Sequence, residues 1–150
     1  ERVFEVANIV AAGGADELIV ADTVGYGNPV QVKALLEPMM DIAAGRRVVC
    51  HFHDTRGLGL ANVAAALDVG VRVFDTSLAG LGGCPFAPGA TGNINTEDTA
   101  FMLESMGYST GIDIGALLEL RCDVESWLGD ERYHGAIARA GLPKTFTMNS

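Results

Sequence analysis

Three short runs of β-branched and apolar residues, each followed by a stretch with helical spacing, constrain this chain more than anything else in it. The runs are Glu17 to Asp22 (ELIVAD), Arg47 to His53 (RVVCHFH) and Arg72 to Thr76 (RVFDT). Each has the length and composition of a buried strand. Between them, Val32, Leu35, Leu36 and Met39 share one helical face, and Gly57 to Val69 reads as a small-residue helix ending near Gly70. Such alternation predicts parallel βα units with right-handed crossovers. An open doubly wound sheet and a portion of a (β/α)8 barrel both satisfy the pattern.

The helix signals fill in the rest. Val3, Val6, Ile9 and Val10 recur at helical spacing and stop at Gly13-Gly14. Asn28-Pro29 supplies a cap and a first-turn proline, and Pro38 is expected to end or kink the helix that follows. Thr96 is expected to cap a helix whose first turn carries Glu97 and Asp98, where carboxylates suit the helix dipole. Asp113 caps a last helix reaching about Leu128. Residues 1–128 are therefore expected to form one partial barrel domain. Residues 129–150 are expected to be a tail, with a short basic helical segment and a loose end. The chain begins at Glu1, inside a helical pattern and without Met, which leads us to expect a piece of a longer protein.

Composition excludes several classes. Of 150 residues, 49% are apolar, too many for disorder, and three cysteines make no disulfide framework. Ten basic residues against 19 acidic ones give a net charge of −9, which disfavours a nucleic-acid partner. No apolar run approaches the ~18 residues of a membrane span, so no membrane partner is expected. No signal peptide opens the chain, and a cytoplasmic location is the expectation.

His51 and His53 are the most informative pair. At i and i+2 in a strand they face the same side, and they sit at the strand's C-terminal end, where parallel α/β folds carry their sites. Together they suit a divalent metal, or a metal and a proton shuttle; a hydrogen-bonded structural pair is the alternative. Cys84 lies in Gly80-Leu81-Gly82-Gly83-Cys84-Pro85, an exposed setting for a thiol, although the sequence shows no base beside it. Cys50 alternates with His51 and should point away, and Cys122 reads as helix packing. Asn93 offers an amide oxygen to a hard cation, or simply makes a turn. Asp22 ends the first strand and could orient a ligand; Asp75 ends the third and could cap a loop or face a helix. Asp54 and Arg56 read as a structural ion pair. The glycine-rich stretch from Gly80 to Asn93 lacks the phosphate-cradling arrangements, so nucleotide binding is a weak reading.

Taken together, His51-Phe52-His53-Asp54-Thr55, Gly57, Ala61-Asn62 and the run from Ser77 to Phe86 (SLAGLGGCPF) strongly resemble 3-hydroxy-3-methylglutaryl-CoA lyase. The resemblance extends through Gly89, Gly92-Asn93 and Thr96-Glu97-Asp98, and back to Ala21-Asp22-Thr23-Val24-Gly25. It implies the C-terminal portion of a (β/α)8 TIM barrel, covering the last three βα units. It implies retro-Claisen cleavage of a hydroxyacyl-CoA to acetyl-CoA and acetoacetate, with Mg2+ or Mn2+. His51, His53 and Asn93 would be metal ligands. His51 would also lie near the substrate hydroxyl, Asp22 near the substrate, and Cys84 would act as general acid or base at the enolate. A homo-oligomer is expected as well. Two departures, Arg56 for a common Tyr and Ala21 for a common Gly, bear on which acyl group is bound. The family's Arg-Asp pair, early Glu and much of its CoA site match nothing in these residues. Claisen condensing enzymes of the isopropylmalate or homocitrate synthase type are the first alternative; they share His-x-His but lack the Gly-Gly-Cys-Pro loop. A non-catalytic fragment is the second.

Overall fold

The structure is a computed structural model that describes residues 1–83 and 92–149. Its centre is a three-stranded parallel sheet in the order β1-β2-β3, formed by Glu17–Asp22, Arg47–Phe52 and Val73–Asp75. Helices α1 (Arg2–Ala12), α2 (Pro29–Ala43) and α3 (Gly59–Asp68) precede or join the strands. After β3 come a 3₁₀ turn at Leu78–Gly80 and helices α4 (Thr96–Ser105), α5 (Ile114–Leu128) and α6 (Ile137–Ala140). Among the described residues, no helix is long and apolar enough to cross a membrane.

The strand alternation sorts the side chains into two faces. Leu18, Val48, Cys50 and Phe52 pack into the core with Leu36, Met39, Val63 and Ala66 of α2 and α3. The opposite face carries Ile19 and Ala21 of β1, Val49 and His51 of β2, and Val73 and Asp75 of β3, which are register partners across the sheet. Ile19 is 60% exposed. The outer edge of β1 is flanked by exposed Val3, Val6 and Val10. Along the outer edge of β3 opens a recess of about 430 Å³ lined in part by Phe74, Leu103 and Tyr108.

Several boundaries differ from expectation, each for a local reason. Pro38 neither ends nor kinks α2 out of existence: the helix continues to Ala43. One ring-blocked hydrogen bond costs less than exposing Leu36, Met39 and Ala43, which flank it in the core. The start of α2 is as expected, since Asn28 Oδ1 accepts from Val30 and Gln31 while Gln31 Oε1 accepts from the Asn28 amide. Helix α4 is capped by Asn95, not Thr96: Asn95 Oδ1 accepts from the Asp98 amide at 2.7 Å, and Thr96 Oγ1 pairs with Thr76 Oγ1. Asp113 caps α5 as expected. Cys122 is exposed rather than packed.

The segment after Leu128 is held down at three points. Asp98 accepts from the amides of Ala136 and Ile137 at the start of α6. Arg121 donates to the His134 carbonyl at 2.6 Å. The Asn149 amide and side chain both bond to Glu104.

Candidate active site

β2 ends one residue earlier than its apolar pattern, because another strand of chain takes over its hydrogen bonds. Ile94 donates to the Phe52 carbonyl at 3.1 Å and Asp54 donates to the Gly92 carbonyl at 3.2 Å, so His53 pairs with Asn93 in an isolated antiparallel bridge. This brings the far end of the glycine-rich stretch back against the histidines. The approach demands glycine at position 92, where a Cβ would lie 1.6 Å from the Gly80 carbonyl oxygen.

The two histidines converge as their spacing implied. His51 Nε2 and His53 Nε2 are 3.2 Å apart, with the rings edge to face. His51 Nδ1 lies 3.0 Å from Asp75 Oδ2 on the neighbouring strand. His53 is 7% exposed and its Nδ1 has no partner among the described residues. Asn93 Nδ2 donates to the Leu81 carbonyl at 2.9 Å, and its buried Oδ1 has no partner among the described residues. An unpaired buried acceptor on Asn93, the bridge partner of His53, is costly unless something positive completes it. Two nitrogens held cis on one cation, each ~2.1 Å from it, are about 3 Å apart, so the 3.2 Å separation suits a shared ion. The mixed nitrogen and oxygen donors fit a borderline cation such as Mn2+ better than Ca2+. Among the described residues no three His, Cys, Asp or Glu side chains form a metal cluster, so such a site depends on Asn93 as the third donor.

Asp22 is at the same end of the sheet, but its register partner is Phe52, not His51. Its two oxygens accept from the Tyr26 and Gly27 amides at 3.0 and 2.8 Å, bracing the β1–α2 loop. Buried Asn62 holds the same loop through the Gly27 carbonyl. Cys50 points away from the histidines as expected, and burial pushes its thiol up to about 12. Cys84 lies outside the described residues. Asp54 and Arg56 do not form the expected ion pair. Asp54 instead accepts from the Gly59 amide at 2.7 Å to start α3, while Arg56 donates to the Val24 and Gly25 carbonyls and stacks 4.2 Å over Tyr26.

Sequence reasoning missed a buried network under the glycine-rich stretch. Glu97 is fully buried, and both its oxygens accept from the Ala79 amide at 3.0 Å. Arg121 reaches Glu97 Oε1 at 3.2 Å, and the His134 amide donates to the Ala79 carbonyl at 2.8 Å. Ala79 itself has φ +57°, a conformation these contacts must hold. Helix-dipole logic accounted for an acid at position 97 without hinting that it turns inward. Arg121 on α5, which also bonds Glu125 one turn further on, was the available signal.

The HMGL-like family model matches residues 1–124. The chain belongs to the HMGL-like family. Over 129 residues it is 42% identical to the hydroxymethylglutaryl-CoA lyase YngG of Bacillus subtilis, covering 86% of this chain and 43% of that protein. Over 118 residues it is 47% identical to the (R)-citramalyl-CoA lyase of Chloroflexus aurantiacus, covering 79% of this chain and 37% of that protein. A solved HMG-CoA lyase from Acinetobacter baumannii, in complex with coenzyme A and 3-methylmalate, superposes with a TM-score of 0.89 at 43% identity. That match covers 97% of this chain and 47% of the other. This HMGL-like chain thus spans about half the length of the relatives it matches, and its three βα units are a portion of a (β/α)8 barrel.

Proposed function

We propose that this chain supplies the histidine, asparagine and thiol side of a divalent-cation-dependent carbon–carbon lyase. The substrate class is 3-hydroxy-3-methylglutaryl-CoA or a related hydroxyacyl-CoA, cleaved to acetyl-CoA and a keto acid. The observation that carries this reading is the convergence of His51 Nε2 and His53 Nε2, with His53 bridged to Asn93, whose buried Oδ1 has no partner among the described residues. The activities of the relatives support it, and the (R)-citramalyl-CoA lyase at 47% identity keeps a shorter acyl group in view.

In this proposal His51, His53 and Asn93 hold Mg2+ or Mn2+, whose charge makes the substrate's tertiary hydroxyl acidic. His51 would lie beside that hydroxyl, and it can take the proton only on an Nε2 released from the cation, because its Nδ1 faces Asp75. The hydroxyl oxygen becomes the keto acid's carbonyl, the carbon–carbon bond breaks, and its electron pair passes to the α-carbon of the thioester. Cys84 gives a proton to that carbon and so completes acetyl-CoA. Asp22 orients the substrate from the loop that it braces. The Gly-Gly-Cys-Pro sequence weighs against the condensing enzymes, which share only His-x-His. We also infer a homo-oligomer, working in a reducing compartment such as the cytoplasm where a thiol stays free.

Three strands do not close a barrel, and no further strand among the described residues pairs with either sheet edge. Turnover is therefore expected from a complete barrel and not from these 150 residues alone. The test joins this chain to the preceding barrel half of the Bacillus subtilis relative. Acetyl-CoA release from hydroxymethylglutaryl-CoA or citramalyl-CoA, dependent on added Mg2+ or Mn2+, is the expected result. Release that is indifferent to a chelator, or none from either thioester by a folded chimera, overturns the proposal.

A further inference from the structure

β3 contributes Val73 and Asp75 to the histidine face, and nothing in the proposed reaction uses Asp75. Asp75 is the register partner of His51, and its Oδ2 lies 3.0 Å from His51 Nδ1. The pair is solvent-accessible, with His51 27% and Asp75 60% exposed at their side chains. Exposed ion pairs contribute little to stability, so holding the fold together is a poor explanation for this one. Its geometric effect is larger. A carboxylate accepts only, so Nδ1 of His51 carries the proton, and in the neutral imidazole Nε2 is left with a bare lone pair.

The rest of the site agrees with that assignment. With His51 Nε2 bare and no cation bound, the 3.2 Å contact between the two rings needs the hydrogen on His53 Nε2; a cation shared by the two Nε2 atoms would require that hydrogen to move to His53 Nδ1. Without the cation His53 Nδ1 is an acceptor, and it is the buried ring nitrogen that has no partner among the described residues. An unsatisfied acceptor is tolerated better than an unsatisfied donor.

We propose that Asp75 is a positioning residue: it fixes His51 as the Nδ1–H tautomer and turns its bare Nε2 toward His53, where a cation would sit. The role in cation binding rests on the ligand assignment given above; the tautomer does not. Carboxylates placed behind metal-binding imidazoles act in this way generally, and losing one costs ~10–100-fold in metal affinity.

Two measurements on the full 150-residue chain test it. In the first, long-range 1H–15N correlation spectra read the His51 ring without added metal, at a pH where the imidazole is neutral. The native chain is expected to show Nδ1–H, and Asp75→Ala to shift the ring toward Nε2–H. Asp75→Asn, whose amide oxygen still accepts, should retain part of the native signature. A native ring already in the Nε2–H form, or a signature unchanged in Asp75→Ala, overturns the proposal. In the second, Mn2+ titration followed by electron paramagnetic resonance should show affinity about 10–100-fold weaker in Asp75→Ala. Equal affinity in the native chain and Asp75→Ala overturns the cation-readying role. A native chain that binds no Mn2+ while the tautomer responds as expected would instead count against the ligand assignment, so the two failures are separable.

Discussion

Asn93 faces His53 across an antiparallel bridge while its side-chain nitrogen donates to the Leu81 carbonyl. One residue thus ties both ends of the glycine-rich stretch to the histidine strand. Its oxygen stays free and buried. That relationship makes the described ends of the stretch, at Leu81 and at Gly92-Asn93, a wall of the site. The predictions below follow from it and from the networks beneath it.

Gly92 is the tightest point of that wall. A methyl group there meets the Gly80 oxygen at 1.6 Å, and backbone cannot step aside as a flexible side chain can. Gly92→Ala is expected to destabilise the chain by about 1–3 kcal/mol, as large backbone conflicts do. The midpoint of urea unfolding measures it, and a midpoint equal to that of the native chain contradicts the packing described.

Glu104 clamps the C-terminal segment. Hydrogen bonds from the Thr110 amide, then from the Asn149 amide, hold its carboxyl down at about 2. A depressed folded value stabilises the chain above the ordinary carboxylate range, and that contribution fades as pH falls from about 4.5 toward 2. Glu104→Gln should therefore lower the unfolding midpoint at pH 7, with the difference from the native chain shrinking toward pH 3. A difference that is constant across this range contradicts the clamp.

The cysteines should separate by reactivity. Cys50 is fully buried and its thiol is raised to about 12 by burial, so it stays protonated at neutral pH. Cys122 is exposed. Alkylation at pH 8 followed by peptide mapping should label Cys122 in the folded chain and Cys50 only after unfolding. Early labelling of Cys50 contradicts the core placement.

Cys84 bears on the proposed chemistry. In the completed barrel, Cys84→Ser is expected to lower kcat by ~10²–10⁴, the range of a lost general acid, while Mn2+ affinity is retained. An unchanged kcat contradicts its assigned role.

The strand pattern was legible because burial on a parallel sheet leaves a strong local mark: Glu17–Asp22 was readable to the residue. The His-x-His pair was legible for the same reason, since period-two alternation fixes which side chains share a face. What escaped was set by distant contacts. Whether Asp75 caps a loop or faces His51 depends on the register of β2 with β3, 24 positions away in sequence. The inward turn of Glu97 depends on Arg121, and the continuation of α2 through Pro38 depends on the core that α2 joins. Asn95 displaced Thr96 as a cap because Thr76 claims the Thr96 hydroxyl.

The central claim is that His51, His53 and Asn93 act together on one divalent cation. Mn2+ titration of the native chain, His51→Ala, His53→Ala and Asn93→Ala, each checked for folding by circular dichroism, tests it most directly. The account predicts one saturable site in the native chain, weakened in all three variants and most in the two histidine variants. No saturable site in the folded native chain, or an affinity unchanged when His53 is removed, would contradict it.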